Sequence, residues 1–187
     1  MASKTGKVGF VGGMDIPLIR RFALGYEEGA KYVNPKIEIF QNMTGTTPAA
    51  WNDPTRGGEL ARSQFDRGAD VIYAAAGATG LGVLQAAKDK GRPAIGVDSN
   101  QDHLHPGSIL TSMIKRVDLA IYEAFKTAKE GTWKGGVRNL GVAEGGVGYS
   151  VDQYNRSLIT PEMERRLEQA RADIVAGKIK VTDFMAK

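Results

Sequence analysis

Apolar and polar positions follow two rhythms through the first part of the chain. Short apolar runs of strand length occupy residues 7–12, 36–42, 71–76 and 94–98. Between them lie stretches with helical spacing. In residues 17–33 the apolar positions are Leu18, Ile19, Phe22, Ala23, Tyr26 and Ala30. A second helix is announced by Asp53 as N-cap and Pro54 at its first position, and runs to about Arg67 with Leu60, Ala61 and Phe65 on one face. A third spans residues 80–90. Strand and helix alternating at this spacing predict βαβ units and a parallel sheet.

The rhythm changes after Asp98. Residues 109–112 read as a short strand and 114–130 as a long helix, with Val117, Ile121, Ala124, Phe125 and Ala128 turned inward. Residues 137–142 read as a further strand, and 144–149 as a flexible stretch. A last helix starts at Thr160-Pro161, carries Met163, Leu167, Ala170 and Ile174 on its apolar side, and stops before Gly177. Residues 178–184 have the pattern of a terminal strand. The predicted class is α/β: a three-layer sandwich around a mainly parallel sheet.

Two strands end in residues suited to binding. The third leads into Gly77-Ala-Thr79-Gly80-Leu-Gly82, where small residues let backbone N–H groups approach a ligand ahead of a helix N-terminus. The fourth ends at Asp98, whose carboxylate can accept two hydroxyl hydrogen bonds. In an open parallel sheet, ligands sit at this edge. The pattern suits a small polar molecule such as a sugar. A dinucleotide reading is the rival, since Gly77-Ala-Thr-Gly80 resembles a short-chain dehydrogenase fingerprint and Asp98 ends the next strand. Against it, the third glycine falls at Gly82, and the unit is the third βα of the chain. Asp15 is placed to cap the helix beginning at Pro17. His103-Leu-His105 reads as part of a solvated loop, and Trp51 and Trp133 as packing residues, although Trp51 in its Gly/Thr/Pro-rich loop is placed to line a cleft.

Composition narrows the picture. With 187 residues and 42% hydrophobic content, the chain is long enough to bury a core of its own. The net charge of +4 is scattered and not interleaved with aromatics, which disfavours a nucleic-acid surface. No cysteine is present, so thiolate chemistry and disulfides are excluded. There is no Gly-x-Ser-x-Gly elbow and no Walker lysine, and no cofactor or metal is expected. The first residues lack the apolar centre of a signal peptide, and no run approaches a membrane span, so a soluble chain is expected.

The same words carry a family resemblance. Lys7-Val-Gly-Phe-Val-Gly-Gly-Met-Asp-Ile-Pro17-Leu-Ile-Arg-Arg-Phe22, Ala76-Gly-Ala-Thr-Gly80, Ile95-Gly-Val-Asp98-Ser-Asn-Gln101 and Thr111-Ser-Met-Ile-Lys115 resemble the basic membrane protein family. Its members are similar to the purine nucleoside receptor A type of ABC-transporter substrate-binding lipoproteins. The resemblance implies one lobe of a type I periplasmic-binding fold plus hinge-crossing elements. Residues 4–112 would be the C-terminal lobe, 113–138 a hinge-crossing helix that packs on the other lobe, and 139–187 a return strand and last helix. It further implies a non-catalytic role, a nucleoside ligand, a permease partner, and a periplasmic or lipid-anchored setting. Asp98 would hold ribose hydroxyls, and Lys115 would donate to ribose or base. Gly77 and the neighbouring Thr79-Gly80 loop would line the sugar, with Tyr73 as an aromatic wall. Because the family's signal peptide, lipidated cysteine and N-terminal lobe have no counterpart here, self-association and weak ligand binding are expected.

Overall fold

In the computed structural model, which describes residues 1–186, the apolar runs become strands because each feeds both faces of one sheet. The elements are β1 (Lys7–Met14), α1 (Pro17–Val33), β2 (Glu38–Gly45), α2 (Pro54–Asp66), β3 (Ile72–Ala75), α3 (Thr79–Asp89), β4 (Ala94–Asp98), β5 (Ile109–Lys115), α4 (Val117–Lys129), β6 (Val147–Tyr149) and α5 (Pro161–Val175). The sheet order is β2-β1-β3-β4-β5-β6. The first five strands pair in parallel, and β6 runs antiparallel to β5 with Lys115 opposite Val147.

Strand side chains alternate between two cores. Val11, Ile72 and Ala74 join Ala61, Phe65, Val83 and Leu84 beneath α2 and α3. Phe10, Tyr73, Ala75 and Val97 point the other way and pack with Ile19 and Ala23 of α1. Three layers follow, and the central strands, buried on both sides, are the continuous apolar runs expected of a parallel sheet. The expected caps of the later helices are present. The Asp53 side chain accepts from Arg56 N–H at the start of α2, Thr160 accepts from Met163 N–H at the start of α5, and Gly177 takes φ 70° just past its end.

Several expectations are corrected. Asp15 does not cap α1; Ile16 is the N-cap, and Asp15 instead accepts two hydrogen bonds from the Arg20 guanidinium, at 2.7 and 2.6 Å. β5 continues through Ile114 and Lys115, so the following helix begins at Val117. That helix turns none of its residues inward, and Val117, Ile121 and Phe125 are exposed. Residues 137–142 form no strand, whereas part of the stretch read as flexible becomes β6, because the pairing edge beside β5 is taken by Val147–Tyr149. Residues 178–184 also form no strand. They cross back to α1, where Asp183 accepts two hydrogen bonds from Arg21 and Thr182 N–H donates to Glu28.

Candidate functional site

Polar and aromatic groups converge at the carboxyl edge of the sheet. Asp98 closes β4 with φ 68°, the one positive φ outside glycine among the described residues. Ser99 N–H donates to the Val97 carbonyl at 2.9 Å, which makes Asp98 the centre of a three-residue turn. The positive-φ form of that turn is rare and strained, and such strain concentrates at functional sites. Lys115 closes β5 on the neighbouring strand, and its Nζ lies 3.3 Å from Asp98 Oδ1. The ammonium also sits 5.8 Å from the centre of the Phe22 ring on α1, within cation–π range.

The opposite wall is Trp51, at the end of a 3₁₀ turn, Pro48–Trp51. Its ring packs against Gly13, where any Cβ would come within 2.4 Å of two ring carbons. The double glycine near the end of β1 therefore makes the seat for this indole. Gly77 lies beside it, with its backbone in the left-handed region. Leu18, Phe22, Trp51, Gly77, Asp98 and Lys115 line a cleft of about 100 Å³. Two carboxylate oxygens and an ammonium beside two aromatic faces can take up a small polyol or heterocycle. No nucleophile with an adjacent base is present there.

Three residues singled out in the sequence lie behind the cleft and do not line it. Tyr73 is buried, 5.6 Å edge-on to Phe10 and 5.4 Å from Tyr26, and its hydroxyl has no hydrogen-bond partner. Burial, with the nearby Asp98 charge, pushes its ionisation far up, so it stays neutral. Thr79 is fully buried; its hydroxyl donates to the Ala50 carbonyl and accepts from Asp53 N–H. Gly80 is buried against Ala74. Gly82 serves a helix crossing, because a Cβ there would fall 1.8 Å from the Pro54 carbonyl oxygen of α2. The glycine word thus works chiefly in packing, which weighs against the dinucleotide reading. Phe22 and Leu18 were not legible as cleft residues, since helical spacing assigns them only to an apolar face.

His103 is exposed near the Tyr154 ring, and burial together with Lys88 holds His105 below the usual histidine range. Among the described residues, no three His, Asp or Glu side chains are grouped to hold a metal. No helix among them is long and apolar enough to cross a membrane. A larger cleft of about 610 Å³ opens between α1 and α5; its lining is mostly apolar, with Glu28, Arg166 and Lys180 among the residues that face it.

Comparison with known proteins agrees with this fold. Residues 1–183 match the family described as ABC transporter substrate-binding protein PnrA-like. The chain belongs to that family. Basic membrane protein D of Borreliella burgdorferi is 38% identical over 184 residues, covering 96% of this chain and 52% of that protein. An uncharacterized lipoprotein of Pyrococcus abyssi is 41% identical over 152 residues, covering 76% of this chain and 37% of that protein. Among solved structures, an ABC transporter solute-binding protein of Aeropyrum pernix superposes with a TM-score of 0.80 at 30% identity, covering 93% of this chain and 56% of that one. A transcriptional activator of the comK gene from Bacillus halodurans also gives 0.80, at 26% identity, with 95% and 59% coverage. This member of the PnrA-like family spans about half the length of the first two relatives or less.

Proposed function

We propose that this chain supplies one wall of the ligand cleft of an ABC transporter substrate-binding protein, and that the ligand is a nucleoside of the purine kind. The observation that carries the reading is the Asp98–Lys115 pair, 3.3 Å apart at the sheet edge and flanked by Phe22 and Trp51. The carboxylate suits two neighbouring ribose hydroxyls, each donating to one oxygen. Lys115 suits an acceptor on the ribose or the base. Gly77 lets the ligand come close to the backbone, while Tyr73, Thr79 and Gly80 support the wall from behind. The role is capture and delivery to a permease, without chemistry on the ligand. Relatives bearing the name lipoprotein support a membrane-anchored setting for full-length members of the family.

Calorimetric titration with a panel of nucleosides tests this. A single open wall leaves the ligand half in water, so binding near the millimolar range, about 4 kcal/mol, is expected. Asp98→Ala leaves the ribose hydroxyls unpaired and should remove roughly 1–3 kcal/mol of that, taking the interaction out of range. NAD(P) should not bind. Equal nucleoside affinity in wild type and Asp98→Ala, or tighter binding of NAD(P) than of any nucleoside, refutes the proposal.

A further inference from the structure

Below Asp98 lies a chain of polar side chains that the cleft itself does not use. Gln101 Oε1 accepts a 2.8 Å hydrogen bond from Val97 N–H, the amide just before the strained residue. The Gln101 N–H donates to Ser112 Oγ at 3.0 Å. Ser112 Oγ donates in turn to Asp102 Oδ1 at 2.7 Å, and the other Asp102 oxygen accepts from Asn155 Nδ2 at 2.9 Å. Ser112, Asp102 and Asn155 are fully buried, where each unmade hydrogen bond is costly. Gly96 makes room for the relay, since a Cβ there would come 2.8 Å from Gln101 Oε1 and 2.7 Å from Ser112 Oγ.

We infer that this relay holds Asp98 in its left-handed turn and so aims the carboxylate at the cleft, with Gln101 as a positioning residue anchored through Ser112 and Asp102 to Asn155. A non-glycine residue pays for that conformation only where its surroundings over-determine it. Here the surroundings are the Gln101 acceptor above and three buried partners below. Asn155 lies beyond β6, on the chain returning from α4, so a shift of that segment pulls on the ligand loop. The ligand part of the inference rests on the proposed role of Asp98; the conformational part does not.

NMR on the full chain separates the two. The three-bond amide–Hα coupling and the Cβ shift of Asp98 report its φ without ligand. Wild type and Gln101→Glu, which keeps the acceptor, should show left-handed values, and Gln101→Leu should relax toward extended ones. Ser112→Ala is the second variant should Gln101→Leu fail to fold. In saturation-transfer titrations with inosine, Asp98→Ala and Gln101→Leu should each weaken binding at least fivefold. The double variant should be no weaker than Asp98→Ala alone, because Gln101 acts through Asp98. Left-handed Asp98 values in Gln101→Leu and Ser112→Ala overturn the inference. Unchanged inosine binding in Asp98→Ala overturns the ligand reading instead, and the Asp98 φ still decides the relay.

Discussion

Thr79 stands between α3 and the loop that carries Trp51. Its hydroxyl donates to the Ala50 carbonyl at 2.8 Å and accepts from Asp53 N–H at 2.7 Å, so one side chain ties the 3₁₀ turn to the start of α2. Thr79→Val keeps the shape but leaves the buried Ala50 carbonyl and the half-buried Asp53 N–H without this partner. It should lower stability by about 1–3 kcal/mol in urea unfolding, while Thr79→Ser retains most of the wild-type value. A valine variant as stable as wild type would show that water replaces both bonds. In sequence, Thr79 reads as a ligand-loop residue because strand, glycine and helix start coincide there. That signal cannot tell a hydroxyl turned to solvent from one turned to the Ala50 carbonyl. Asp98 and Lys115 are legible for a different reason: each ends a strand, and parallel strands place their ends at one edge. Trp51 is only half legible, since its seat on Gly13 is a contact between residues far apart in the chain.

At the scale of elements, α2 and α3 cross so closely that Gly82 meets the Pro54 carbonyl. In an exposed helix interior, Gly→Ala gains up to about 1 kcal/mol from propensity. Here the added methyl would lie 1.8 Å from a backbone oxygen, which must move with its helix. Gly82→Ala should therefore destabilise by about 1–3 kcal/mol, the usual cost of overpacking, and lower the Tm by several degrees. A raised Tm would mean that the two helices are not held at this distance. The strong periods of β1, α1, β3, α3 and β4 are legible because each element is internally consistent in pattern, punctuation and length. The misreadings cluster after Asp98, where short apolar runs compete for one edge. Val137, in a run with strand character, is 93% exposed, while β6, which is rich in glycine nearby, pairs with β5. Periodicity records which residues can pair and not which edge is free. The β5 boundary is hidden for a similar reason: Ile114 fits the spacing of the helix that follows as well as that of the strand it ends.

For the molecule as a whole, the informative region is α4, which buries none of its residues. Phe125 is 73% exposed, Tyr122 62% and Ile121 53%, with Val117 one turn before Ile121. An apolar stripe of this kind marks an interaction surface, since soluble monomers rarely expose large contiguous patches. It fits the expected hinge-crossing role of residues 113–138, which we retain as a proposal. Asp118 in the first turn is already paired with the Arg116 guanidinium, so the stripe itself is what remains to be covered. Two copies of α4 side by side and antiparallel would cover both stripes, the self-complementary contact of a two-fold dimer. The 187-residue chain should therefore sediment as a dimer at micromolar concentration. Raising salt should weaken the dimer only modestly, because most of the contact is apolar. Ile121→Glu with Phe125→Glu places like charges in the seam and should yield a monomer with an unchanged melting curve at low concentration, since neither side chain is part of the core. A wild-type monomer in sedimentation velocity, or a dimer that survives both substitutions, would place the association surface elsewhere.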